Sequence, residues 1–278
     1  MINISSASAL ISANALNSAT SDANKASERI STTLRINRAS DDPVGMVKAM
    51  KLKTDITSFT KAMDNINSGI EIVDNVETTL TSIYDVLAEM KILADLAVTE
   101  TDIDTLAAYQ VDIESYLSDI TSLIEQVTLD GSTIMDGDTS MTIQVGINST
   151  DTRTFTFDDV TTSTLGVDDV DISDGNITAT DATDAVSAIT AAMTTVTDAI
   201  TNIAASQNSL DISASFANAM STHKSIAYGK IMDADIAKET SNLAAAQVRQ
   251  NASAAMLAQG NSMNKEIVTY LLRGFTQG

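Results

Sequence analysis

The sequence contains no cysteine, no tryptophan and a single proline, and aromatic residues make up only 4% of its 278 positions. The absence of cysteine excludes disulfides and thiolate metal ligands. Because bulky aromatic side chains and proline are so scarce, the composition favours long, thin helices over a thick globular core. Apolar residues still make up 44% of the chain, which is enough for one sizeable core or two smaller ones.

Histidine occurs only once, at position 223. A single imidazole cannot form a His-Glu-x-x-His zinc site, and it makes a catalytic triad or a proton shuttle implausible. The acidic stretch from Asp168 to Asp174 lacks the glycine and the glutamate that a calcium-binding loop needs at its sixth and twelfth positions. We therefore predict no catalytic residues, no metal site, no cofactor and no enzymatic activity.

Long hydrophobic runs are also missing, since no 18 consecutive residues are apolar and the first basic residue is Lys25. These two observations argue against a membrane span and against a cleaved signal peptide. We expect no membrane insertion. If the protein acts outside the cell, we expect a dedicated apparatus to export it.

The net charge of −21 is concentrated in the middle of the chain. Between residues 92 and 222 there are 22 acidic residues and one basic residue, Arg153, whereas the remainder carries 15 of each sign. This distribution predicts that the balanced ends pack against protein while the acidic middle faces water. A soluble acidic protein without assembly is the alternative reading of the charge alone. Nucleic acid is not an expected partner, because phosphate binding needs clustered lysine and arginine.

Apolar residues spaced three and four apart predict helices over most of the chain. The strongest pattern predicts one helix from about residue 44 to residue 99, and further helices are predicted at 103–127 and 186–214. Both terminal segments carry narrow seams rich in alanine, where a seam is a line of residues on one helix face. Because small side chains allow close approach, we expect the two terminal helices to pair. The predicted terminal seam consists of Leu16, Ala19, Ala23, Ala26, Ile30, Val248, Ala252, Ala255, Met256, Ile267 and Leu271.

The pattern changes to period two at residues 143–147 and 155–157, which predicts a β-hairpin with a turn near residues 148–151. Residues 165–167 and 170–172 are interpreted as further short strands near a turn at 174–176.

Together these patterns predict a mainly α protein, an elongated out-and-back helical bundle with paired N- and C-terminal coiled-coil helices and a small β-hairpin region. The predicted domains are a terminal core of residues 1–42 with 235–278, disordered in the monomer, and a long-helix bundle of 43–138 with 180–234. Residues 139–179 form the hairpin region of the bundle domain, on its outer surface. The alternative is a row of independent helical domains, which the lack of proline, glycine or serine linkers disfavours.

One segment between the first two helices resembles the hallmark of the bacterial flagellin family. It runs from Leu34 through Arg35, Ile36, Asn37, Asp41 and Asp42 to Gly45, and Asp42-Pro43 also suits a helix start. Four further stretches resemble family patterns, and the likeness covers roughly residues 1–160 and 190–273. They are Asn67–Ile70, Met141–Gly146, Ile231–Glu239 and Ala254–Asn261.

The resemblance implies a structural subunit that polymerises into the extracellular helical filament of the flagellum for motility. The chain is similar to a short flagellin that lacks large outer domains. The segment from Leu34 to Gly45 would then be an assembly spoke, although its spacing alone fits an ordinary capped interhelix loop equally well. Implied partners are further copies of itself, the flagellar export apparatus, an export chaperone, the filament cap and hook-junction proteins. The alternatives are a hook-filament junction protein and a monomeric secreted adhesin or binding module.

Two surface features follow from the same resemblance. Many flagellins are recognised by an innate immune receptor through a stretch that matches Leu87, Glu89, Lys91 and Leu93. Recognised forms carry arginine where this chain has Glu89, so recognition is not expected here. Flagellins are often O-glycosylated on outer hydroxyls, and the candidates are Ser149, Thr161 and Thr162.

Overall fold

A computed structural model describes residues 2–129, 131–137, 139–172 and 179–275. Within these residues the fold is mainly α, with five helices and two small pairs of antiparallel strands, which confirms the predicted fold class. The predicted long second helix, the helix predicted at 103–127 and the hairpin are all present. The elements are α1 (Ile2–Thr32), α2 (Pro43–Ala97), α3 (Ile103–Gln126), β1 (Thr128–Leu129), β2 (Ser132–Thr133), β3 (Ser140–Gln144), β4 (Thr152–Thr156), α4 (Ala179–Met232) and α5 (Ile236–Phe275).

The chain forms two compact units, and α2 and α4 contribute to both. Unit 1 consists of Met1–Thr54 and His223–Gly278, so it contains both ends of the chain. Unit 2 is the continuous stretch Asp55–Thr222. The division falls about a dozen residues inside the bundle domain drawn from the sequence. The start of α2 and the end of α4 belong with the termini because Ala49 and Met232 share a small core with Ile36.

Unit 2 has one continuous core, to which α2, α3, α4, the β3–β4 hairpin and the loop after it all contribute. Its helices meet through isoleucine and leucine at the three-and-four spacing, and each such side chain contributes about 1.5–3 kcal/mol when fully buried. The largest fully buried side chains of this core are Ile66, Ile83, Leu87, Met90, Ile113, Ile120, Ile134, Met135, Ile172, Ile189 and Leu210.

The β3–β4 hairpin lays one face on this core. Met141 pairs with Phe155 in the antiparallel register, and both side chains are buried. On the exposed face the hydroxyls of Thr142 and Thr154 are hydrogen-bonded at 3.0 Å. The alternation of buried and exposed side chains is what the period-two pattern predicted.

The loop after the hairpin differs from the prediction. Residues 165–167 and 170–172 do not form strands. They lie in an irregular loop that contains turns, and their apolar side chains are buried. Gly166 has a φ of 68°, a left-handed conformation that interrupts extended structure. The predicted turn at 174–176 lies outside the described residues. The β1–β2 pair was not predicted, since two-residue strands are too short to show a period.

Candidate assembly interface

The link between α1 and α2 is fixed to the junction between α4 and α5. Thr33 ends α1 in the left-handed region, with a φ of 60°, and its carbonyl accepts the N–H of Ala234 at 2.9 Å. Next to it, the N–H of Arg35 donates to the carbonyl of Met232 at 2.5 Å. The two segments run antiparallel here, and Leu34 and Asp233 form an isolated β-bridge. The two parts of the sequence that carry the strongest family patterns therefore contact each other.

The side chain of Arg35 strengthens this connection. Its Nε and Nη2 atoms donate to the carbonyl of Ile231 at 3.2 and 2.7 Å, so the planar guanidinium forks around one backbone oxygen. Its Nη2 atom also lies 3.8 Å from the carboxylate of Asp42. Arg35 thus joins the α4–α5 junction to the start of α2.

Asp41 organises the backbone of the link itself. Its Oδ2 atom accepts the N–H groups of Arg38 and Asn37, both at 3.0 Å, and the Asn37 amide donates to the carbonyl of Leu34 at 3.1 Å. These backbone hydrogen bonds hold the pKa of Asp41 below its ordinary value, and the bond from Arg38 has the larger effect, followed by the bond from Asn37. The carboxylate is therefore ionised at neutral pH and acts as a turn-forming acceptor.

Asp42 caps α2, as the sequence predicted. Its Oδ1 atom accepts the N–H of Gly45 at 2.8 Å, and Pro43 occupies the first helical position. A β-carbon at Gly45 would lie only 2.8 Å from Cδ1 of Ile36 and closer still to the Asp42 carboxylate. A side chain at position 45 would therefore displace the side chains of Asp42 and Ile36, because the link folds back over the first turn of α2.

The α1 half of the predicted terminal seam lies on the side of α1 that faces α5. Ala19, Ala23 and Ala26 are buried, while Leu16 and Ile30 are half-buried. Apart from Ile36 and Met232, the buried apolar residues described in unit 1 are all alanines, so the two terminal helices approach closely.

The α5 half of the seam needs a correction. Val248 and Met256 are 68% and 66% exposed, and Ala252 and Ala255 are exposed as well. The side chains of Ile267 and Leu271 lie outside the described part. The sequence favoured the more apolar of two stripes that share the same spacing, whereas α1 packs on the more polar one. That α1-facing stripe consists of Glu239, Leu243, Ala246, Gln250, Ser253 and Leu257.

Polar contacts fix the register of α1 against α5, and the sequence alone gave no sign of them. Arg29 lies 3.3 Å from the buried carboxylate of Glu239. About three turns further along α5, Gln250 donates to the hydroxyl of Thr20 at 2.9 Å. Each pair joins residues more than 200 positions apart, so no local spacing could reveal it.

The outer faces of unit 1 carry large apolar side chains that no other described residue covers. At the start of α2, Val44, Val47 and Met50 are 65%, 67% and 61% exposed. On α5 the exposed stripe continues from Val248 through Met256 to Met263. Exposed apolar side chains that recur along one helix in this way are typical of interaction surfaces.

The receptor-like stretch lies on α2 within unit 2. Leu87 is fully buried, Leu93 is half-buried and Glu89 is exposed. The Lys91 ammonium lies 2.9 Å from the carboxylate of Asp95 on the same helix. Only part of this stretch is therefore a free surface in the subunit.

The glycosylation candidates are not equivalent. Ser149 is exposed in the β3–β4 turn, whereas Thr161 and Thr162 are half-buried. The hydroxyl of Thr161 donates to Asp159 at 2.8 Å. Burial raises the pKa of Asp159, but the hydrogen bonds from Thr164 and Thr161 outweigh that effect and lower the pKa overall.

These features define a helical structural protein whose two chain ends pair and present uncovered apolar faces. Residues 3–140 match the sequence model of the bacterial flagellin N-terminal helical region, and residues 186–271 match that of the C-terminal helical region. The two matches together span most of the chain. The protein belongs to the bacterial flagellin family, which is a structural family.

Curated relatives agree with this assignment. The chain is 33% identical over 174 residues to the phase 1 flagellin of Salmonella naestved and to the flagellin of Salmonella budapest, which covers 62% of this chain and 34% of each relative. It therefore aligns with about a third of the length of these relatives. The crystal structure of Bacillus cereus flagellin superposes with a TM-score of 0.49 at 18% identity, covering 55% of this chain and 88% of that chain. Among the described helices, none has the length and apolar character to cross a membrane.

Proposed function

We propose that the protein is a structural subunit that polymerises, chiefly through unit 1, into the extracellular helical filament of the bacterial flagellum. The observation that carries this proposal is the pair of terminal helices with large apolar side chains on their outer faces, in a chain from the flagellin family. The exposed face on α5 and the exposed face at the start of α2 lie on different helices and are two separate surfaces. Contact between two different faces on successive copies is a heterologous contact, which builds a filament when the rotation from one copy to the next does not close into a ring.

We propose further that the terminal helices become ordered on assembly. Ordering a residue costs roughly 1.5 kcal/mol. The apolar side chains that are buried between α1 and α5 are alanines, namely Ala19, Ala23, Ala26 and Ala246. Each buried methyl group contributes only about 0.8 kcal/mol. Neighbouring copies would add the burial that the single chain lacks. If amide NMR of dilute monomer shows residues 1–40 and 240–278 rigidly helical, ordering is not coupled to assembly.

The link from Leu34 to Gly45 is proposed as the spoke that transmits assembly contacts from the terminal helices to the rest of the subunit. Its support is the network in which Arg35, Asp41 and Asp42 bind backbone groups on both sides of the link. A loop held by so many specific hydrogen bonds keeps one geometry, which a regular polymer needs in every copy.

The remaining partners are proposed from family membership. Further copies of the chain are the principal partner, and the flagellar export apparatus, an export chaperone, the filament cap and hook-junction proteins would handle the subunit on its way to the filament. The acidic surface of unit 2 suits the water-facing side of such a polymer, because like charges keep neighbouring filaments apart.

Seeded elongation, followed by electron microscopy, tests this function. Purified subunits added to short filament fragments should extend them into tubes. The triple variant Arg35→Ala, Asp41→Ala, Asp42→Ala should lose elongation while unit 2 keeps its helicity. The matched control Lys61→Ala, Asp64→Ala removes an exposed ion pair of unit 2 and should elongate normally. A capped but non-growing seed would favour a junction protein, and no binding to seeds would favour a secreted binding module.

We propose that the innate immune receptor responds weakly to this subunit. Glu89 is exposed and places a negative charge where recognised family members carry a positive one. A reporter assay with monomer should show a stronger response for Glu89→Arg than for the wild type. Strong signalling by the wild type would overturn the proposal.

Ser149 is the proposed O-glycosylation site among the three candidates, because it is exposed in the hairpin turn while the Thr161 hydroxyl is engaged with Asp159. Mass spectrometry of native filaments, compared with Ser149→Ala, should place the glycan on the peptide containing the turn. A glycan found at Thr161 instead would contradict this assignment.

A further inference from the structure

The exposed methionines are confined to one unit of the protein. Among the described residues, Met50, Met256 and Met263 are 61%, 66% and 51% exposed, and all three belong to unit 1. Every methionine of unit 2 is at least half-buried. Those are Met63, Met90, Met135, Met141, Met193 and Met220.

Each exposed methionine lies within an uncovered apolar face. Met50 continues the face formed by Val44 and Val47 on α2, and Met256 and Met263 continue the α5 stripe that begins at Val248. Since the chain has neither cysteine nor tryptophan, the methionine thioethers are its most readily oxidised side chains.

We propose that Met50, Met256 and Met263 are sites of reversible oxidation to methionine sulfoxide by a peroxide-class oxidant, and that oxidation there prevents assembly. In the reaction, the thioether sulfur attacks one peroxide oxygen and the O–O bond breaks. The sulfur takes up that oxygen and loses two electrons, while the other oxygen takes the proton of the transferred hydroxyl and leaves as water from hydrogen peroxide, or as an alcohol from an organic hydroperoxide. The inference rests on the proposed function, because it takes these faces to be the ones that neighbouring copies cover.

The consequence follows from the polarity of the product. A sulfoxide is a strong hydrogen-bond acceptor, and its burial in an apolar contact leaves that acceptor without a donor. The expected effect on elongation is about a tenfold loss for each sulfoxide that a contact would bury. Unit 2 is spared because its methionines are shielded, so an oxidised subunit stays folded there and can be restored by a sulfoxide reductase.

The experiment treats purified full-length subunits with dilute hydrogen peroxide, maps the oxidised residues by mass spectrometry and then measures seeded elongation. Oxidation should occur first at the three exposed sites, with Met90 and Met141 unmodified, and elongation should fall by at least about tenfold. Incubation with methionine sulfoxide reductase and its thiol reductant should restore it. Assembled filaments should resist oxidation at the same three positions.

Two triple variants make the test specific. The variant Met50→Leu, Met256→Leu, Met263→Leu keeps the apolar faces. After peroxide treatment it should elongate as fast as the same variant without treatment. Met63→Leu, Met193→Leu, Met220→Leu changes only half-buried methionines of unit 2 and should remain as sensitive as the wild type. The proposal is overturned if oxidised wild type elongates normally, or if the first variant is inhibited as strongly as the wild type. Failure of untreated subunits to elongate would instead refute the filament function itself, and this inference with it.

Discussion

Ile143 of the hairpin packs directly onto Gly69 of α2, so that its δ-methyl group occupies the place where a β-carbon of residue 69 would be. Leu210 of α4 is also close, with its Cδ1 atom 3.7 Å from that position. Glycine in the middle of a helix normally costs about 1 kcal/mol relative to alanine. Here it allows the hairpin to approach the helix, which sets the position of β3 on the core of unit 2.

Replacing this glycine should therefore destabilise unit 2. Gly69→Ala would place a β-carbon against Ile143 in a packed core, and overpacking of this kind costs about 1–3 kcal/mol, more than the gain in helix propensity. The expected result is a lower urea midpoint for unfolding of the subunit. Gly69→Ala combined with Ile143→Val, which removes the δ-methyl, should recover most of the loss. Equal destabilisation by the single and double variants would contradict the contact.

Gln110 should be required for the loop that follows the hairpin. Its buried amide accepts the N–H of Ile172 at 2.9 Å and donates to the carbonyl of Val170 at 3.3 Å, so it binds two backbone groups of the loop. Gln110→Leu would leave both groups buried without partners, at about 1–3 kcal/mol each. Hydrogen exchange at the Ile172 amide should accelerate, and the urea midpoint for unfolding of the subunit should fall. Gln126→Leu, an exposed change at the end of the same helix, should alter neither measurement.

Two glycines in unit 1 should respond in opposite directions to alanine. Gly45→Ala places a methyl group against Ile36 and Asp42, whereas a β-carbon at Gly260 would have no described atom within 4 Å apart from those of the adjoining helix backbone and its two chain neighbours. Gly45→Ala should slow seeded elongation and lower the temperature at which filaments dissociate. Gly260→Ala should raise the helicity of an isolated α5 peptide, in keeping with a gain of about 1 kcal/mol. Unchanged assembly of Gly45→Ala would show that the link tolerates a different path.

The low pKa of Asp41 predicts a specific response to acid. Because the folded state lowers this pKa, the ionised carboxylate stabilises the link at pH values above about 3.9, the pKa of aspartate in an unfolded chain. That stabilisation disappears as the pH falls through the pKa of the folded state. Filaments of Asp41→Asn should dissociate at a lower temperature than wild type at neutral pH. The difference should narrow below about pH 4. A difference that stays constant into strong acid would assign the effect to something other than ionisation.

Much of unit 2 could be predicted because its signals are local. The apolar spacing along residues 59–97 and 103–127 reflects burial of one helix face, and the alternation in β3 and β4 reflects burial of one sheet face. The cap at Asp42 and Pro43 was also readable, since a capping side chain bonds its own helix. The loop at 165–172 was misread because its buried apolar residues fit a short strand as well as a series of turns.

The sequence by itself determined the helices, the hairpin, the family and the separation of a balanced pair of ends from an acidic middle, because each of these depends on residue type and local spacing. Only the tertiary structure decided which stripe of α5 faces α1. The two stripes have the same residue spacing, so the spacing does not show which of them contacts α1. The same holds for Arg29 with Glu239 and for Arg35 on the carbonyl of Ile231, whose partners lie about 200 residues away. Contacts of that kind exist only after the two ends of the chain have come together.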